Sequence, residues 1–370
     1  MKEDHLESLT LEWLESLGYT CLTGEDVSLG GSEEARSKYT EVVLRPRLEA
    51  AITRLNPGIP AGAQSAAVSK LADYANQSIT DGNREVYGWI RGGVEVEVVG
   101  SDGHRGIERL KVIDFDNPRS NDLLAVQQFT VHGQNIRRPD VVIFINGLPL
   151  VVIELKNPAD ENADIEAAYN QIQTYKTDIP QLFHYNLLNV LSDGVNARYG
   201  SLTADFARHG FWRLINGQKN TDRSLMELEV LTRGLLEPET LLRFFRGFVA
   251  YAISDGSPST KVIAQWHQYQ GVNKAVARAV DALQTQRDGK GGVVWFTQGS
   301  GKSFLAVFYA MALRDHPVFR APTILVVTDR IDLDDQLYET FAGCSESLKA
   351  TPRKAEDRDD LRAMLGETEV

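Results

Sequence analysis

Apolar and polar residues alternate along this chain with two periods. In residues 3–17, Leu6, Leu9, Leu14 and Leu17 fall near helical spacing and Gly18 ends the run, which predicts an amphipathic helix. Residues 32–55 predict a second helical region, interrupted at Pro46 and closed by Asn56-Pro57-Gly58, with a Gly/Ala/Ser-rich loop expected after it. From Gly93 the period becomes two: Val94, Val96 and Val98 alternate with Glu95 and Glu97, the pattern of a strand. Further strands are expected at 108–114, 125–131, 140–145, 149–155 and 188–192, with a helix over 160–177 among them. Residues 255–260, Asp-Gly-Ser-Pro-Ser-Thr, have the composition of a linker. Beyond it the pattern predicts a helix (262–284), a strand (292–297), a Gly-rich turn, a helix (302–314), a strand (323–328) and a helix from 332. Such alternation implies a parallel α/β sheet, still incomplete at Val370. There is no internal repeat or low-complexity tract.

A chain of 370 residues is expected to form two or three domains at roughly 100–200 residues each. With 42% hydrophobic and 24% charged residues it has ordinary globular composition. The apolar stretch 140–154 is broken by Asn146-Gly147 and Pro149, too short for a bilayer, and the start Met1-Lys2-Glu3-Asp4 is no signal peptide. Cys21 and Cys344 are the only cysteines, so a disulfide framework is excluded and a reducing cytoplasm is expected. The net charge of −12 argues against a nonspecific DNA coat, since phosphate contacts need Lys and Arg. The charge is uneven: the first thirty residues carry one Lys and seven acids, net −6, while residues 31–70 carry six basic and four acidic residues, net +2. A local groove, or a partner that holds the nucleic acid, stays compatible with it.

The most informative stretch of the first half is Pro139-Asp140-Val-Val-Ile-Phe-Ile-Asn146-Gly147-Leu-Pro-Leu-Val-Val-Ile-Glu154-Leu155-Lys156. Asn-Gly between two apolar runs signals a hairpin. Folded there, Asp140 falls opposite residues 153–155, and Glu154 and Lys156 share a face. Two carboxylates and the Leu155 carbonyl are hard oxygen donors for Mg²⁺, and Lys156 can orient a water or stabilise a phosphorane oxyanion. From spacing alone this reading stands beside a surface ion pair on a strand edge. The seven histidines are scattered without metal-ligand spacing, and no Gly-x-Ser-x-Gly occurs, which sets aside a zinc enzyme and a serine hydrolase.

Pro139-Asp140 followed by Glu154-Leu155-Lys156-Asn157-Pro158 resembles the PD-(D/E)xK nuclease motif in the form found in type I restriction subunits. Gln171-Ile-Gln-Thr-Tyr175 is similar to the Gln-x-x-x-Tyr helix motif of the RecB-like branch; at i and i+4 both side chains share a helix face, where they would brace the catalytic lysine or touch DNA. The resemblance also implies an acidic metal residue on the first helix. Glu7, eleven residues before Gly18-Tyr19, takes that place, with Glu3, Glu12, Glu33, Glu34 and Glu41 competing. Two further blocks, 41–57 and 191–194, look like family segments with core or turn duty.

In the second half, Gly292-Val-Val-Trp-Phe296-Thr297-Gln298-Gly299-Ser300-Gly301-Lys302-Ser303 runs from expected strand through a glycine turn into a helix, the context of a phosphate-binding loop. Backbone amides and the helix N-terminus would cradle phosphates, Lys302 would reach the β- and γ-phosphates, and Ser303 would ligate Mg²⁺. Phe296 stands where the strict pattern has its first glycine. The form Thr-Gln-Gly-Ser-Gly-Lys-Ser resembles superfamily 2 translocases of restriction systems, with Gln270 as the adenine reader of a Q motif and 323–336 as motif Ia. The acidic motif II and the later motifs do not occur in the 370 residues.

In order, these resemblances imply an α/β protein: a PD-(D/E)xK nuclease domain with a mixed sheet flanked by helices (1–210), a connecting segment (211–260), and an incomplete RecA-like parallel α/β lobe (261–370). They imply a restriction subunit that cuts double-stranded DNA with Mg²⁺ and moves it with ATP. Its partners would be modification (methyltransferase) and specificity subunits, with S-adenosylmethionine used by the complex but not bound by this chain. Another nuclease–helicase of repair or defence, and a partner-binding fragment without complete ATPase activity, are the alternatives.

Overall fold

The computed structural model describes residues 3–99, 105–156, 165–253, 259–287, 289–320 and 322–367. Asn157, Pro158 and most of the 255–260 stretch lie outside the described residues, as does the Glu3 side chain. The chain forms two compact units, 1–248 with 261–266, and 249–260 with 267–370.

The first unit is built on a six-stranded mixed sheet. Its strands are β1 (Thr20–Thr23), β4 (Leu123–Gln127), β7 (Val141–Ile145), β8 (Leu148–Leu155), β9 (Leu188–Ser192) and β10 (Ala197–Gly200), in the order β1-β4-β7-β8-β9-β10. In chain order, β2 (Val94–Val99) and β3 (Arg105–Leu110) form a separate antiparallel pair, and β5 (Val131–His132) pairs with β6 (Ile136–Arg137). The β1–β4 and β8–β9 pairs are parallel, and the other neighbours are antiparallel. Every residue of β7 and β8 is buried, which explains why their sequences run apolar without alternation. Helix α1 (Glu3–Ser16) packs on β1, β4 and β8, burying Leu6, Trp13 and Leu14; α5 (Ile165–Asp178) packs on β8 and β9 through Ala168, Ile172 and Tyr175.

Several expected elements fall elsewhere. Residues 32–44 form turns, and α2 (Arg45–Leu55) starts with Pro46 in its first turn; the ring needs no N–H there, so the proline opens this helix instead of interrupting one. The Gly/Ala/Ser-rich loop expected after Gly58 is largely helical. It folds as α3 (Ala61–Ala72), whose face of Ala63, Ala67, Val68 and Leu71 is buried, and alanine is the best helix former. Next, α4 (Ile79–Gly92) is capped by Ser78 and buries Val86, Tyr87 and Ile90. The strand expected at 108–114 ends at Leu110. Residues 211–248, set apart as a connecting segment by the sequence reading, pack in the first unit. They include α7 (Glu227–Leu235), against which α1 packs, and α8 (Pro238–Gly247), which buries Leu241, Leu242, Phe244 and Phe245.

In the second unit the expected helices are present: α9 (Trp266–Gln284), α10 (Lys302–Asp315) and α11 (Ile331–Gly343). The expected strands are not. Among the described residues, 289–297 and 322–327 pair with no strand, and Val293, Trp295 and Val327 are 94%, 87% and 81% exposed. A central strand of a parallel sheet needs partners on both edges and cover on both faces, and none of the described residues supplies them.

Candidate active site

The site grows from the hairpin turn. Asn146 and Gly147 both take positive φ (51° and 80°), which twists the turn to suit the flanking strands. The buried Asn146 amide donates to the carbonyl of Val112 and to Asn121 Oδ1, both at 2.8 Å, while its Oδ1 accepts from the Asp122 amide. Gly147 lies so close to Leu44 that a Cβ would come within 2.5 Å of its carbonyl oxygen. The 41–57 block therefore clamps the turn, and Leu44 N–H donates to the Gly147 carbonyl at 2.9 Å. With Val141 opposite Ile153, the register carries on to bring Asp140 beside Glu154.

Asp140 is 5% exposed and Glu154 2% exposed, and Lys156 Nζ sits 2.5 Å from Glu154 Oε1. Asp140 Oδ2 accepts from the Leu155 amide at 2.7 Å, and the Lys156 amide donates to the Ser192 carbonyl at 2.8 Å, which gives the 191–194 block a structural duty. Burial, then the charge of Glu154, pushes the Asp140 carboxyl up to about 8, against the pull of the Leu155 amide. Ionising both buried carboxylates against the one ammonium would therefore leave a deficit of positive charge. The Leu155 carbonyl belongs to the residue between Glu154 and Lys156, at the end of β8.

Helix α5 adds Tyr175, buried beneath this end of the sheet. Its hydroxyl donates to the Arg138 carbonyl at 3.5 Å, and burial, with the nearby charges of Glu154 and Asp140, raises it far above the usual phenol range. Gln171, one turn earlier on α5, is half-buried. Among the acids weighed for the first helix and the segment after it, Glu7 is buried at 3%, whereas Glu12, Glu33, Glu34 and Glu41 are exposed. Glu7 accepts from Gln127 Nε2 at 2.7 Å and from Gln128 Nε2 at 2.9 and 3.0 Å; Gln128 Nε2 also reaches Asp140 Oδ1 at 3.4 Å. Among the described residues no three His, Cys, Asp or Glu side chains gather closely enough to hold a metal on their own.

The glycine turn of the second unit has the backbone a phosphate loop needs. Gly299 and Gly301 are left-handed (φ 81° and 76°), and Gly301 directly precedes α10. Lys302 Nζ donates to the carbonyls of Phe296 (2.9 Å) and Thr297 (3.4 Å), and Ser300 Oγ donates to Thr297 O at 2.7 Å. Gln298 lies in the same turn, and Ser303 follows Lys302 in the first turn of α10. Phe296, the departure from the strict pattern, packs on α9: its ring lies 5.4 Å from that of His267, and a Cβ on Gly271 would approach it to 2.8 Å. The loop is touched by His267, whose Nε2 lies 3.1 Å from Ser300 O, and by Gln268, whose amide donates to Gly301 O at 2.9 Å; Gln270, the expected adenine reader, is two residues on and half-exposed.

A family model described as the type I restriction enzyme R protein N terminus matches residues 1–208, more than half of the chain. The chain belongs to this type I restriction R-subunit family. A second model, the SWI2/SNF2 ATPase, matches residues 267–370, within the unit that carries the glycine loop. The R-subunit relatives include the type I restriction enzyme HindI endonuclease subunit of Haemophilus influenzae, 40% identical over the whole chain and 35% of that protein. A putative type I restriction enzyme MjaIXP endonuclease subunit of Methanocaldococcus jannaschii is 29% identical over the whole chain and 36% of that protein. The chain spans about a third of the length of these relatives. Sequence reasoning within the R-subunit frame missed Gln127 and Gln128. Strand alternation sends adjacent side chains to opposite faces, so no pattern pointed to this pair: Gln127 ends β4 and Gln128 follows it with a positive φ of 54°.

Proposed function

We propose that this chain is the nuclease-and-motor subunit of a type I restriction system, cutting double-stranded DNA in a Mg²⁺-dependent reaction coupled to ATP-driven translocation. The observation that carries the proposal is the convergence of Asp140, Glu154 and Lys156 at one sheet end, with Glu7 and Tyr175 closing around it. The donor set suits a hard divalent ion. Asp140, Glu154 and the Leu155 carbonyl would hold it with waters completing the shell, and the charge deficit of the two buried acids is what a cation balances. When bound, Mg²⁺ polarises the scissile phosphate and eases deprotonation of the attacking water. Lys156 orients that water and neutralises charge that builds on the phosphorane oxygens. In this reading Gln171 and Tyr175, one turn apart on α5, brace the catalytic lysine or touch the DNA backbone.

In the second unit, residues Thr297 to Ser303 would hold the phosphates of ATP, with Ser303 on its Mg²⁺ and Gln270 on adenine. Lys302 would exchange its loop carbonyls for phosphate oxygens. The partners in this reading are modification and specificity subunits, with S-adenosylmethionine confined to the modification partner. In the assembled enzyme, Asp140→Ala and Lys156→Ala should each lower double-strand cleavage by about 10²-fold or more while sparing ATPase. Full cleavage by either variant would refute the assignment.

A further inference from the structure

Adjacent residues of a regular strand point to opposite faces, so Gln127 and Gln128 should diverge. They do not: both amides reach the carboxylate of Glu7, some 120 residues earlier in the chain. The cause is the backbone of Gln128, which leaves the strand in the left-handed region at φ 54°, a conformation a side chain larger than hydrogen adopts only at a cost. The bend is held on both sides. Gln128 N–H donates to the Asp140 carbonyl at 2.8 Å, Gly24 N–H donates to the Gln127 carbonyl at 2.7 Å, and a Cβ on Gly24 would come within 2.3 Å of the Gln128 carbonyl oxygen. The result places one amide nitrogen between two buried acids, within 3.0 Å of both Glu7 oxygens and 3.4 Å of Asp140 Oδ1.

We propose that Gln128 is a positioning residue through which Glu7 acts on Asp140, so that the first-helix acid serves the metal site by a hydrogen-bonded relay and not as a ligand. Gln127 anchors the far end by fixing Glu7 itself. The geometry explains why an acid buried next to Asp140 completes no three-acid metal group. Both its oxygens are spent on amides, and the neutral donor between the acids shields Asp140 from a second negative charge. Outer partners of this kind fix the orientation of a ligand and typically set about 10–100-fold in metal affinity. The inference rests on the proposed nuclease site, so its test must separate the two.

The test is Mn²⁺ binding to the full chain without nucleotide, read from the paramagnetic resonance of the free ion. Thermal melting in EDTA serves as the measure of fold. Asp140→Asn tests the site and should abolish binding. Gln128→Gly removes the amide while relaxing the left-handed backbone, so it should melt no lower than the parent yet bind Mn²⁺ about tenfold more weakly. Gln128→Asn, tolerant of that backbone but one methylene short, gives a second route to the same result. Glu7→Gln should weaken binding to a similar extent, and the double variant Glu7→Gln/Gln128→Gly should be no worse than either alone, because one relay is broken once. Loss with Glu7→Gln as complete as with Asp140→Asn, additive with Gln128→Gly, would make Glu7 a direct ligand and overturn the relay. Parental affinity in Gln128→Gly, with or without lowered melting, would reduce Gln128 to a structural residue. Equal binding by the parent and Asp140→Asn would remove the nuclease metal site, and the relay with it.

Discussion

At the scale of single residues, the site is a problem of charge. Asp140 carries a folded-state pKa near 8 against an ordinary 3.8, because burial and Glu154 both disfavour its ionised form. The folded chain therefore holds a proton that the unfolded chain has released, and stability falls as pH rises through that window, levelling above it. Asp140→Asn cannot ionise, so without metal it should flatten the fall and exceed the parent in stability near pH 9. Urea midpoints at pH 5, 7 and 9 in EDTA would show this, and a parental slope in the variant would assign the proton elsewhere. The residues that make this pattern were legible as far as they lay on one hairpin. Asp140, Glu154 and Lys156 follow from strand alternation and an Asn-Gly turn. Gln127 and Gln128 were not legible, because their convergence depends on a single left-handed residue that no alternation rule anticipates.

At the scale of elements, the hairpin turn sets the separation of the two acids. Gly147 has a positive φ, and a Cβ there would lie 2.5 Å from the Leu44 carbonyl oxygen, so Gly147→Ala pays in both strain and contact. It should destabilise the first unit by about 1–3 kcal/mol and move Asp140 out of register with Glu154, measured as a lowered urea midpoint together with weakened Mn²⁺ binding. A parental midpoint would mean that the turn tolerates a side chain there. The same scale shows where pattern reading fails. A small-residue stretch reads as loop, yet α3 forms because Ala63, Ala67, Val68 and Leu71 find a surface to cover. Pro46 reads as a break inside a helix, yet it lies where a helix begins. The strands expected at 292–297 and 323–328 have strand-like sequences without strand neighbours, and a sheet is a property of the set.

At the scale of the whole molecule, the proposed function would put two chemistries on one polypeptide, and a nuclease joined to a motor would cut at random if it were always active. On that proposal the acidic first thirty residues, net −6, would repel DNA phosphate near the nuclease, so the isolated chain should be a poor, unspecific nuclease. Cutting that waits on translocation should depend on Lys302, although that ammonium donates to its own loop carbonyls, Phe296 O and Thr297 O. In the assembled enzyme, Lys302→Ala should remove ATPase and cleavage together, with the Asp140 site intact. Parental cleavage of an unmethylated target plasmid by Lys302→Ala would mean that the two activities are merely joined by the chain.

The tie between Glu7 and Gln127, two positions 120 residues apart, also bears on when the site comes into being. The β7–β8 hairpin closes over a two-residue turn, a search of microseconds, whereas docking α1 on β4 must first close a loop of that length. Asp140 and Glu154 should therefore meet early in folding, and Glu7 should arrive late. Pulse-labelled hydrogen exchange during refolding should protect β7 and β8 amides before those of α1; the reverse order would contradict this. A newly made chain would then pass through a period with its acids paired but their outer support missing, and the proposed site would reach its full metal affinity only once the N-terminal helix has found its place.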